Sequence, residues 1–118
     1  MQKQPEFDHG QFVTFFTAIQ RECHDIAMKH GWWDEPRTFG DITALFHSEI
    51  TEAFEAYRNG DPGDKDCPDF SNREVELADC IIRIMDYAEK EKLLVAEALI
   101  AKMKFNRTRP YRHGGKKA

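Results

Sequence analysis

The chain has 118 residues, of which 41% are hydrophobic and 32% charged, with a net charge of −4; this is the size of one domain and leaves little room for a second core. No apolar run approaches the roughly 20 residues of a bilayer span, and Met1-Gln2-Lys3-Gln4-Pro5-Glu6 lacks the basic-then-apolar order of a signal peptide, so a cytoplasmic protein away from membranes is expected. Cys23, Cys67 and Cys80 show no C-x-x-C spacing, which points to neither a disulfide framework nor a zinc site.

The first predicted element is a helix from about His9 to Lys29, in which Phe12, Phe15, Phe16, Ile19, Cys23, Ile26 and Ala27 recur at three- and four-residue steps. His30-Gly31 closes it. Residues 32–40 (WWDEPRTFG) read as a loop, because Pro36 disfavours helix before it and Gly40 punctuates. A second helix is expected from about Asp41 to Arg58, with Ile42, Leu45, Phe46, Ile50, Ala53, Phe54 and Tyr57 as its apolar stripe. Phe46 and Tyr57 are expected in the core.

Residues 59–70 (NGDPGDKDCPDF) form a connecting loop whose Asp61, Asp64, Asp66 and Asp69 resemble a calcium loop only loosely, without its central glycine and closing glutamate. Ser71-x-x-Glu74 is a capping box that opens a third helix to about Lys90, with Val75, Ala78, Ile81, Ile82, Met85 and Ala88 on its stripe. A fourth helix, about Lys92 to Phe105, carries Leu93, Ala96, Leu99, Ile100 and Met103, and Pro110 and Gly114-Gly115 end regular structure. The fold expected is therefore an all-α bundle of four to five helices, with residues 1–111 as the domain and residues 112–118 as a flexible basic tail. The three phenylalanines near the start of the first helix leave room for burial against a second copy.

Charge is distributed unevenly. Residues 1–97 hold 10 Lys and Arg against 21 Asp and Glu, whereas residues 98–118 hold seven Lys and Arg and no acid. Within the acidic body, Glu49-x-x-Glu52 and Glu76-x-x-Asp79 border the apolar stripes of consecutive helices. Residues three apart share a helix face, so each pair aims two carboxylates one way. Either pair alone is most simply a solvated face. Four converging acids, however, repel one another unless a cation lies among them, and all-oxygen ligation suits Mg²⁺ or Mn²⁺. A di-iron bundle would need Glu-x-x-His steps, which His24, His30 and His47 do not complete; glycoside hydrolysis would need a sugar cleft that a small helical bundle does not provide.

In the order and spacing of these motifs the chain resembles the all-α, MazG-like nucleoside triphosphate pyrophosphohydrolases, a group that includes dimeric dUTPases and dCTP pyrophosphatases. Glu49-x-x-Glu52 and Glu76-x-x-Asp79 match its metal motifs, and Lys102-Met103-Lys104-Phe105-Asn106-Arg107-Thr108-Arg109-Pro110-Tyr111 is similar to its K-M-x-x-N-x-x-R-P ending. The likeness covers roughly residues 30 to 111. Many members carry a further glutamate where this chain has Ser48, a departure that bears on subgroup and water activation.

The resemblance implies a Mg²⁺-dependent enzyme that hydrolyses a (d)NTP at the α-phosphate, releasing pyrophosphate, with Glu49, Glu52, Glu76 and Asp79 holding metal and Glu49 also orienting water. Glu55, one turn beyond Glu52, is expected to solvate its face. Lys102, Asn106 and Arg109 would grip phosphate. Trp33, then Trp32, would stack on the base, and His30 would hydrogen-bond base or ribose. A homodimer or homotetramer is implied; nucleic acid is not the partner expected. The competing class is a non-enzymatic helical interaction module whose basic end contacts nucleic acid.

Overall fold

The computed structural model describes residues 7–111; the expected tail residues Arg112, His113, Lys116 and Lys117 lie outside the described residues. The fold is all-α, with α1 (His9–Lys29), α2 (Phe39–Arg58), α3 (Asn72–Lys90) and α4 (Val95–Arg107). Among the described residues no helix is long and apolar enough to cross a membrane.

Local chemistry sets the boundaries. Asp8 caps α1 by accepting from the Gln11 amide, and reciprocal capping boxes open α2 (Thr38 with Asp41) and α3 (Ser71 with Glu74). The box at Thr38 starts α2 two residues before the predicted Asp41. Helices α1, α2 and α3 end alike. After each, the chain turns left-handed, at Gly31, at Gly60 and Asp61, and at Lys92, and two amides reach back to the last turn: Gly31 to Met28 and Trp32 to Ala27, Gly60 to Tyr57 and Asp61 to Ala56, Lys92 to Glu89 and Leu93 to Ala88. At the third of these, Lys92 occupies the left-handed position, with φ 55°. That stop delays α4 to Val95, three residues later than the periodicity predicts.

Helix α3 is central. It packs against α2 on one side and α1 on the other, while α4 folds back onto α1. Cross-contacts fix both pairings as antiparallel: Phe39 stacks on Tyr87 and Glu49 meets Arg83 between α2 and α3, and Gln20 bonds Glu89 and His24 bonds Asp86 between α1 and α3. Small residues, Ala53 and Ala56 on α2 and Cys80 on α3, are buried and let the helix pair approach closely.

The single chain buries little beyond this seam. Its buried apolar residues are chiefly small. The predicted α2 stripe divides in two. Ile42 and Ala53 face inward and Phe46 is half-buried, but Ile50, Phe54 and Tyr57 stay exposed, so Tyr57 is not core within the chain. An exposed groove on the outside of the α2–α3 pair, formed by Ile50, Phe54, Tyr57 and Leu77, is the result.

Candidate metal centre

The antiparallel α2–α3 seam brings the two acidic motifs together. Oxygen atoms of Glu49, Glu76 and Asp79 lie within 4.8 Å of one another. Glu49 is buried and Glu76 and Asp79 are half-buried, whereas Glu52 is exposed at the edge of the group. Burial, followed by hydrogen bonds from the Glu76 carboxyl to Glu52 and Glu49, pushes Glu76 up to about 7. Burial, and then the charge of Glu49, also raises Asp79; Arg83 opposes that rise, and Asp64 and Glu52 add to it.

Glu76 is held from behind by the loop. Asn72 donates to Glu76 Oε1 at 3.3 Å and to Asp64 Oδ1 at 2.8 Å. Asp64 also accepts the amides of Asp66 and Cys67, each at 2.9 Å. The Cys67 amide and then Asn72 hold its carboxyl below the usual range. Asp61 meanwhile accepts the Arg73 amide and pairs with its guanidinium. Two of the four aspartates that resembled a calcium loop therefore act as internal braces for the start of α3.

Beside the acids lies a cavity of about 330 Å³ between α1 and α3, lined by Cys23, Ile26, Ala27, His30, Trp32, Glu49, Asp79, Ile82, Arg83 and Asp86. Glu52 and Glu76 line a different hollow, of about 280 Å³, with Glu55, Asn59 and Asn72. Trp32 and His30 thus stand on the same cavity as two of the acids. Trp33 does not line it; its indole donates to Asp86 at 2.9 Å, and Lys90 lies 5.0 Å from its ring. The geometry favours Trp32 over Trp33 as the aromatic wall. His30 Nδ1 also engages the Ile26 carbonyl at 2.9 Å, as a helix-end residue does.

The cationic ending is elsewhere. Helix α4 docks on α1, and Lys102, Asn106 and Arg109 are exposed, with the two cations resting on the Phe105 ring. The cation at the acids is Arg83, whose Nε donates to Glu49 Oε1 at 2.6 Å. Sequence reasoning passed it over, although it stands one turn after Asp79 on the same face. Asp64 and Asn72 were missed as well, because their link to Glu76 depends on how the loop closes.

An all-oxygen group of closely spaced carboxylates is a donor set that could hold a hard divalent cation, and the raised protonation of Glu76 and Asp79 is what such an ion would have to displace. Compared with family models, curated proteins and solved structures, the chain finds no significant match.

Proposed function

We propose that the chain is a Mg²⁺-dependent nucleoside triphosphate pyrophosphohydrolase of the MazG-like kind, serving nucleotide pool sanitation or balance. The observation that carries this reading is the convergence of Glu49, Glu76 and Asp79 at a cavity with an aromatic wall. Those three and Glu52 would hold the ion, Mg²⁺ or Mn²⁺; when bound, such an ion neutralises phosphate oxygens and acidifies water.

The chain's own residues divide the remaining work. Glu49 and Asp79 border the cavity, so they would face the α-phosphate, and Glu49 would orient the attacking water and take its proton. Water oxygen bonds to the α-phosphorus, the bridging bond to the β-phosphate breaks, and pyrophosphate leaves with the bond's electron pair. Trp32 and His30 would flank the nucleoside.

The apolar outer face supports a homodimer as the smallest assembly. A second copy seated on Ile50, Phe54, Tyr57 and Leu77, each about half exposed in the single chain, would cover this face.

The test is a panel of (d)NTPs with Mg²⁺, assayed for pyrophosphate and monophosphate. Turnover is expected for at least one nucleotide, falling by about 10²- to 10³-fold in Glu49→Gln and Asp79→Asn, as when a preorganised charge-stabilising group is removed. No turnover across the panel, or unchanged turnover in both variants, refutes the reading. Salt-sensitive nucleic-acid binding without turnover would instead select the interaction module.

A further inference from the structure

Arg83 has two features that a simple structural ion pair does not need. Its guanidinium is half-buried, 31% exposed in the side chain, and sits over the Trp32 ring at 4.8 Å. It also forms part of the wall of the 330 Å³ cavity. Among the described residues its hydrogen bond to protein runs through Nε, to Glu49; a guanidinium has four further N–H donors. Among the described residues those donors make no hydrogen bond, and Arg83 borders the cavity that a phosphate would occupy.

The pair also sets up a competition. Glu49 Oε1 receives the guanidinium at 2.6 Å, and Glu49 is one of the three residues able to share a cation. A divalent ion there would need the same carboxylate and would repel the guanidinium beside it, since like charges a few ångströms apart interact strongly where water is scarce. An anion resolves the conflict. A phosphate oxygen in the cavity can take the guanidinium's fork, and the flat indole beneath lets the group shift while keeping its stacking.

Resting on the pyrophosphohydrolase reading, we infer that Arg83 is an exchangeable counter-ion and a phosphate-binding residue. It neutralises Glu49 while no cation is held and grips the triphosphate once a cation takes Glu49. Cation and triphosphate therefore bind cooperatively, each weakly without the other. The role is distinct from that of Lys102, Asn106 and Arg109, because Arg83 belongs to the same helix as Glu76 and Asp79.

The experiment compares the wild-type chain with Arg83→Gln in two titrations. With Mn²⁺ alone, followed by the spin resonance of the free ion, Arg83→Gln should bind about tenfold tighter, because a competing positive charge is gone. With preformed magnesium tripolyphosphate, followed by calorimetry, it should bind about 10- to 100-fold weaker, the size of a lost charge-assisted hydrogen bond. Opposite signs mark the exchange; Arg83→Lys should keep the wild-type Mn²⁺ affinity and recover part of the tripolyphosphate affinity. Mn²⁺ binding that is unchanged or weaker in Arg83→Gln, but lost in Asp79→Asn, overturns the inference and leaves the metal reading standing. Absence of Mn²⁺ binding by the wild-type chain, with and without tripolyphosphate, overturns the metal reading and this inference with it.

Discussion

The α2–α3 pair and the α4 segment differ in how much of their chemistry one chain can place, and α4 is also the less amphipathic of the two regions. On α2 and α3 small residues bring the backbones close, the capping box and the braced loop fix the start of α3, and the acids converge. On α4 one buried residue, Ala96, anchors a helix whose last two turns are exposed. The acids are placed by local packing. Among the described residues, Lys102, Asn106 and Arg109 of the cationic ending lie exposed on α4 and just after it, and none of them lines the cavity.

The contrast points to a clamp supplied by a second copy, and the sharpest way to break it is complementation. Lys102→Ala combined with Arg109→Ala should cost about 10²-fold in kcat/KM, as two charge-assisted contacts would. Mixing that chain with Asp79→Asn is then decisive. In a two-fold dimer the mixed species rebuilds one complete site if acids and clamp come from different chains, so activity should return to about a quarter of wild type. Activity that stays at the level of the separate variants would place acids and clamp in one chain. Phe54→Asp, on the exposed groove, should reduce both the light-scattering mass and the recovery.

Next in size is an effect of pH within the placed region. Glu76 is raised to about 7 from an ordinary 4.5, so between those values the folded chain holds more protons than the unfolded one. Stability from this group is therefore greatest below about 4.5 and is lost as pH rises toward about 7. Asp79 shifts in the same direction. In chelator, the melting temperature of wild type relative to Glu76→Gln should fall from pH 5.5 to pH 8. Mn²⁺ at pH 8 should restore wild type more than the variant. A difference that is flat or rises with pH would mean that the acids do not crowd one another as the geometry requires.

What the sequence disclosed follows the same division. Periodicity and the Ser71-x-x-Glu74 box placed α1 and α3, and the spacing of the two acidic motifs foretold the close grouping of Glu49, Glu76 and Asp79, though not the exposure of Glu52, because each signal is local to one helix face. Arg83 was legible in principle, being one turn beyond Asp79, but a lone arginine at a helix margin carries no motif. The sequence preferred Trp33 to Trp32 as the stacking residue, but adjacent residues diverge, and the structure puts Trp32 on the cavity and bonds Trp33 to Asp86. Exposure of Tyr57 and Phe54 was invisible for a different reason: a stripe wide enough for two contacts reads the same whether the second partner is in the chain or outside it.

The smallest effect concerns the junction where the two regions part, which is also where the α4 boundary was misplaced. Lys92 takes a left-handed conformation, φ 55°, that costs a residue with a Cβ about 1–2 kcal/mol and glycine little. The sequence shows no glycine there, so the stop was hidden. Replacing Lys92 also removes its pairing with Glu89, so neither substitution compared with wild type isolates the backbone. The comparison of Lys92→Gly with Lys92→Ala does, because both lose the pair. Inside a helix alanine is the more stable by about 1 kcal/mol; at Lys92 the order should invert, with the glycine chain the more stable by about 1 kcal/mol in urea unfolding. If alanine wins here too, the left-handed stop is not what separates α3 from α4, and α4 would be free to continue the line of α3 rather than turn back onto α1.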